Sequence, residues 1–246
     1  MVSKEAMKNL TLMAYPGRFI ILGRDVAGAH DIVLYGITGR SASSQARRLE
    51  RRGDIVFIRP TDPDVLKTGN ADLLVYPALV LGKGIAVSNG KQTEDIDPLA
   101  DGSPVRVLEK GLESWTYEPD APIFTPRISG CLLPDRRAAL SLIKRGGDGR
   151  PERSFFEFPL IPGRGKLVAT YAGENTHPLP VFQGEPLEIG IETKTAAETA
   201  QRVYAALRPE GRPEDFRVAV ACVFAPLAPG EEREIAIVNR LERTAA

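Results

Sequence analysis

Histidine and cysteine are scarce in this chain, with two of each among 246 residues. His30 sits in a turn-like Ala-Gly-Ala-His-Asp segment and His177 in a Thr-His-Pro loop. Neither is placed as the base of a serine or cysteine triad. Cys131 and Cys222 lie far apart in apolar strings and read as buried strand residues without metal-ligand spacing. A zinc site is therefore not expected, and no metal is assigned. Gly-x-Gly-x-x-Gly and Walker-type loops are missing too, so no dinucleotide or triphosphate cradle is expected.

Charge of one sign is also lacking. Lys plus Arg and Asp plus Glu both total 32. That argues against a nucleic-acid partner held on a broad basic face, yet leaves room for arginines around one small phosphate. No apolar run approaches the roughly twenty residues of a membrane span, so no membrane partner is expected. Residues 1–14 carry two lysines and a glutamate without a continuous apolar core. They read as a short flexible extension and not as a signal peptide, which implies a cytoplasmic protein. Hydrophobic residues at 43% and charged residues at 26% suit an ordinary soluble globular protein of one large or two small domains.

What is present is mostly strand. Arg18–Gly23 and Asp31–Thr38 are apolar runs joined by a Gly-containing loop, which predicts a hairpin. Further strands are expected at Asp54–Arg59, Asp72–Tyr76, Ala78–Leu81 and Ile85–Ser88, with Gly82-Lys83-Gly84 turning between the last two. Ser103–Lys110 reads as a helix capped by Ser103, with Pro104 at its first position. Pro126–Leu133 and Ala138–Lys144 are expected to pair around Pro134-Asp135, and Ser154–Phe158 with Lys166–Tyr171. Thr195–Leu207 gathers Ala196, Thr199, Ala200, Val203 and Leu207 on one helical face. Arg217–Phe224 and Glu234–Val238 return to strand. Hairpin order with few helices implies an α+β or all-β domain with antiparallel sheets. Lys144–Arg153 is the best candidate boundary and is read as internal, leaving residues 15–246 as a single domain.

Several strings carry more than pattern. Tyr15-Pro-Gly-Arg18 leads to Gly23-Arg24, and Gly39-Arg40-Ser41 to Ser44 and Arg47. Val87-Ser-Asn-Gly90 precedes Thr93-Glu94-Asp95, and Tyr117-Glu118 precedes Thr125-Pro-Arg-Ile128. In this order and spacing they resemble the archaeal-type IMP cyclohydrolase family in its longer bacterial branch. The motif-bearing part runs from about Tyr15 to Ile128. The resemblance implies an α+β fold, a four-layer αββα sandwich similar to the Ntn hydrolases. Four layers need another helix, for which Ser41–Arg52 is the candidate. A homo-oligomer is also expected.

The implied reaction is dehydrative closure of a formamidoimidazole-carboxamide ribotide to inosine monophosphate. It needs a base for a poor amide nucleophile and a donor for the formyl oxygen, but neither metal nor organic cofactor. The resemblance places the catalytic positions on Arg47, Tyr76 and Glu118. Tyr76 would donate its phenolic proton or orient water, and Glu118 would act as base or hold the carboxamide. Arg47 would stabilise the oxyanion or tune a neighbour. On residue type alone, Tyr76 is an amphipathic strand end, Glu118 a solvated loop carboxylate, and Arg47 part of a charged helical face. The family usually carries Asn before this arginine, where this chain has Ala46.

For the phosphate, Arg18, Arg24, Arg40 and Arg127 are candidates, with Arg18 the one assigned to structure. Ser88, Asn89 and Gly90 read equally as donors to base or ribose and as a type I′ turn. Thr125 and Arg127 are substrate contacts by resemblance. The competing readings are a family member acting on a related ribotide or opening a ring, an Ntn-type amidohydrolase, and a catalytically silent nucleotide-binding protein. The amidohydrolase needs a freed N-terminal nucleophile, whereas Tyr15 occupies the family's natural start.

Overall fold

The two apolar runs near the N-terminus fold back on each other as expected. Strand β1 (Arg18–Arg24) pairs with β2 (His30–Thr38), with Phe19 opposite Gly36 and Leu22 opposite Val33. The computed structural model describes residues 6–62, 75–208, 211 and 214–240. The expected strand at Asp72–Tyr76 lies outside these residues up to position 74, and Tyr76 opens the next strand.

Seven strands then form an antiparallel meander in sequence order. They are β3 (Arg47–Arg52), β4 (Ile55–Pro60), β5 (Tyr76–Leu81), β6 (Ile85–Ser88), β7 (Arg127–Leu132), β8 (Ala138–Arg145) and β9 (Pro151–Phe158). The chain crosses to the first hairpin through β10 (Arg164–Ala169), β11 (Leu187–Gly190), β12 (Arg217–Pro226) and β13 (Glu234–Asn239). That second sheet has the order β11-β10-β1-β2-β12-β13.

Short helices complete the fold: α1 (Lys8–Thr11), α2 (Ala42–Gln45), α3 (Pro104–Gly111) and α4 (Ala196–Ala206). Helix α3 begins where the sequence places it, with the Ser103 hydroxyl accepting from Arg106 N. It packs on β7, β8 and β9, and α4 packs on β12 and β13.

The core explains the continuous apolar runs. In β8, Ala138, Leu140 and Leu142 join the main core, which draws from both sheets. Ala139 and Ile143 face the other way, with Cys131, into a cluster with Val107, Leu108 and Leu112 around α3. A strand buried on both faces loses the polar alternation of a half-exposed one. Burial pushes the Cys131 thiol up to about 12 and that of Cys222 higher still.

Three expectations are corrected. Ser41–Arg52 is not a helix: only Ala42–Gln45 turns, and Arg47–Arg52 is strand. Arg47 and Leu49 are buried while Arg48 is exposed, the period of two that a strand requires. Glu50 bonds Arg48 and Arg52, its neighbours two residues away on the same face. Next, Ser154–Phe158 does not pair with Lys166–Tyr171, because β9 pairs with β8 and β10 with β1 and β11. Pro159–Gly163 carries the chain between sheets. Finally, residues 6–14 are packed where a loose extension is expected. Leu10 is fully buried, and Gly190 N donates to Ala6 O.

Candidate active site

A cavity of about 370 Å³ opens at the Arg18 end of β1. Its wall includes Tyr15, Arg18, Arg40, Arg47, Glu118 and Thr125. The approach to β1 is set by Gly17, whose φ of 72° is left-handed. A Cβ there would stand 2.2 Å from Thr170 Oγ1, so glycine is required for this turn.

At the wall, Arg18 Nη2 meets Glu118 Oε1 at 2.5 Å. Glu118 is 2% exposed. Burial pushes its carboxyl above the ordinary range, against the pull of Arg18 and Arg127. Burial opposes the charge on Arg18 as well. There Glu118 and the surrounding tyrosine oxygens prevail and hold the guanidinium proton above its usual range. Arg18, assigned to structure from the sequence, is among the residues that line the cavity.

Tyr76 lies in the same electrostatic neighbourhood, within reach of Arg18 and Arg127. Its hydroxyl is 2.9 Å from that of Tyr35, and both phenols are buried. The reading of Tyr76 as a surface strand end is thus overturned. Burial, reinforced by Tyr76, pushes the Tyr35 phenol well above its ordinary value, so it stays protonated.

Asn89 organises the wall from behind. Its Nδ2 donates to Glu118 Oε1 at 3.2 Å and Pro126 O at 2.9 Å. Its Oδ1 accepts from Ile128 N at 2.9 Å and Gln92 Nε2 at 3.0 Å. All four hydrogen-bonding valences are used inside the protein. The type I′ turn is excluded by Gly90, whose φ is −172° and whose successors Lys91–Asp95 form a 3₁₀ turn. Gly90 matters for close approach: a Cβ would lie 2.4 Å from Gln92 Oε1 and 2.5 Å from Arg127 Nη1. Ser88 is buried and bonded to Thr93 and to Gly90 O.

Thr125 reaches the cavity. Its hydroxyl donates to Asp120 Oδ2 at 2.5 Å and sits 2.9 Å from Tyr171 OH. Arg127 faces inward, donating to Thr116 O and Gln92 Oε1 and lying over the Trp115 ring at 4.7 Å. Burial lowers the pKa of its guanidinium against the attraction of Glu118. Arg47 is buried and donates Nε to Ser44 O. Ala46 ends the α2 turn, giving its N–H to Ala42 O and accepting from Thr61 N. At the mouth, Arg40 lies over the Tyr15 ring at 5.1 Å, beside Ser41, Ser43 and Ser44.

Arg24 does not join this group. It sits at the far end of β1 and bonds buried Asp31 at 2.8 Å. A larger cleft of about 510 Å³ opens at that end, with Arg51, Lys83, Arg136 and Arg233 in its wall. Its wall holds no tyrosine and only exposed carboxylates, whereas the smaller cavity is lined by buried Glu118 with Tyr15 and Tyr171, so the smaller cavity is the better site. Sequence reasoning missed Tyr35, Asp120 and Tyr171. A tyrosine inside an apolar strand run carries no mark that separates site from core, and a loop aspartate looks solvated.

Comparison with known proteins gives the family. Residues 15–224 match the family model described as IMP cyclohydrolase-like protein, extending well past the motif-bearing half. Over 194 residues the chain is 28% identical to the IMP cyclohydrolases of two strains of Halobacterium salinarum, covering 78% of this chain and 85% of theirs. The match begins at Tyr15, in the cavity wall, and runs through both sheets as far as β12. The chain belongs to the IMP cyclohydrolase-like family.

Proposed function

We propose that the protein is an IMP cyclohydrolase of purine biosynthesis, closing 5-formamidoimidazole-4-carboxamide ribotide to inosine monophosphate with loss of water. The observation that carries this reading is the buried Glu118 carboxylate, held by Arg18 and Asn89 at the cavity wall. A carboxylate with a raised pKa is suited to take a proton from a weakly acidic amide. The carboxamide nitrogen bonds to the formyl carbon, and the formyl oxygen gains charge, is protonated and leaves as water.

In this scheme Glu118 is the base and Tyr76 the donor to the departing oxygen, with Tyr35 holding the Tyr76 hydroxyl. Arg47 stabilises the oxyanion. Arg18 keeps the Glu118 carboxylate oriented, and Thr125 contacts substrate beside it. The ribotide phosphate is assigned to the mouth, where Arg40, Ser41, Ser43 and Ser44 offer a guanidinium and hydroxyls. Asn89, Arg127, Ser88 and Gly90 support the wall from behind, and Arg24 has no part in binding. Both reacting groups belong to one molecule, so fixing their rotamer supplies much of the acceleration. Helix α3 on the seven-stranded sheet and α4 on the six-stranded sheet also support the αββα sandwich of the Ntn hydrolases, with residues 15–246 acting as one domain.

The test is to mix purified protein with the formamido ribotide and follow the absorbance of inosine monophosphate. Tyr76→Phe and Glu118→Gln should each lower kcat by about 10²-fold or more while the circular dichroism stays native. Absence of turnover by the wild type rejects the reading, and wild-type rates in both variants reject the site.

A further inference from the structure

We infer that Tyr171 is the hydrogen-bond acceptor that reads the ribose hydroxyls of the substrate, its own proton being turned away from the cavity by Thr125 and Asp120. The inference rests on the ribotide reading of the site and adds to it a residue that selects ribose over deoxyribose. Tyr171 and Asp120 both line the cavity of about 370 Å³. The ring closure itself uses neither side chain.

The direction of the hydrogen-bond chain follows from its protons. Asp120 Oδ1 accepts from Thr125 N at 2.7 Å, and Oδ2 accepts from Thr125 Oγ1 at 2.5 Å. A carboxylate only accepts, and threonine has a single hydroxyl proton, so that proton goes to Asp120. The 2.9 Å contact between Thr125 Oγ1 and Tyr171 OH then has one possible donor, the phenol. Among the described residues the Tyr171 hydroxyl makes no other hydrogen bond. With its proton committed to Thr125, it meets a ligand through oxygen lone pairs. A donating group is preferred there, and a phosphate oxygen is rejected.

Position selects which donor. Arg40 at the mouth lies over the Tyr15 ring at 5.1 Å, and Tyr15 stacks on Tyr171 with ring centroids 5.7 Å apart. On the inner side, Thr125 O accepts from Glu118 N at 2.8 Å. Tyr171 thus stands between the phosphate end of the cavity and its carboxylate end. In a ribotide the sugar lies between phosphate and base, and its hydroxyls are the donors it carries. Tyr171 is 6% exposed, so a ligand without the hydroxyl leaves a largely buried acceptor unpaired. That is the condition under which a site discriminates against the missing group.

Isothermal titration with inosine monophosphate and its 2′-deoxy and 3′-deoxy forms tests this without turnover. One deoxy form or both should bind on the order of tenfold more weakly than the parent. Fluorine in place of the same hydroxyl, close to it in size but with no proton to donate, should not restore affinity. Tyr171→Phe should bring the ratio of ribo to deoxy affinity near one, whereas a purely structural role would weaken every ligand alike. Equal binding of the parent and both deoxy forms overturns the inference, as does failure of the parent to bind at millimolar concentration. So does a fluoro form that matches the parent, or a wild-type ratio retained in Tyr171→Phe. Ribose-selective binding without conversion of the formamido ribotide would instead overturn the ring-closure reading and leave Tyr171 as a selector of ribonucleotides.

Discussion

At the scale of single residues, Glu118 carries the clearest consequence. Its carboxyl is pushed above 4.5 by burial, with Arg18 as the largest opposing influence. A base works only when ionised, so kcat/KM should fall along an acid limb centred above 4.5. Arg18→Met removes the main attraction, so the limb should move to higher pH in a pH–rate profile. A limb that stays in place dissociates Arg18 from Glu118. The same shift has a stability sign. The folded state binds a proton that the unfolded state has already released, so this contribution is present below 4.5 and is lost as pH rises through the raised value.

Arg24 gives the contrasting case. It bonds Asp31, which is fully buried and has Arg136 as its second cation. Arg24→Ala should cost about 1–3 kcal/mol in urea unfolding and leave KM for the ribotide unchanged. A raised KM returns Arg24 to the binding site. The distinction was not legible in the sequence, because Arg18 and Arg24 are both strand-end arginines. Only the direction of the cavity separates them. Tyr76 and Glu118 were named only because the resemblance implies them, and the structure adds what surrounds them: the Tyr35 hydroxyl for one, Arg18 and Asn89 for the other.

At the scale of elements, legibility depended on how many faces a segment buries. The β1–β2 hairpin, the capped helix α3 and the one-sided helix α4 each show a complete local pattern and were readable. Strand β3 was not, since its arginine-rich string fits a charged helix as well as a strand. What decides it is distant: Asn239, 3% exposed and 190 residues along the chain from Leu49, bonds both the N–H and the C=O of Leu49 in β3. Asn239→Ala should therefore leave a buried N–H and C=O unpaired and cost about 1–3 kcal/mol for each. Because β3 begins at Arg47, activity should fall along with stability. Hydrogen exchange gives the specific readout, with the Leu49 amide accelerated well beyond amides in β8. Equal protection of Leu49 in the variant would show that the clamp contributes nothing. The mispaired β9 and β10 have a related origin, for adjacent strands usually pair, and the Pro-rich crossing between sheets looks like a hairpin loop until both neighbours are known.

For the whole molecule, the two sheets share one core and one site. Ile20, Leu34 and Val220 from the six-stranded sheet lie in the same cluster as Leu49, Leu79 and Leu140 from the seven-stranded sheet. The cavity wall draws on both sheets: Arg18 opens β1 of the six-stranded sheet and Arg47 opens β3 of the seven-stranded one. Neither sheet can keep the cavity wall without its partner, so on the proposed site unfolding and inactivation should coincide. Calorimetry should show one transition, with an enthalpy on the order of 170 kcal/mol per chain from about 0.7 kcal/mol per residue near 60 °C. Loss of cyclohydrolase activity should track it. Two separated transitions would mean that the sheets fold as independent units, and the shared core would then not be what holds Arg18 against Glu118.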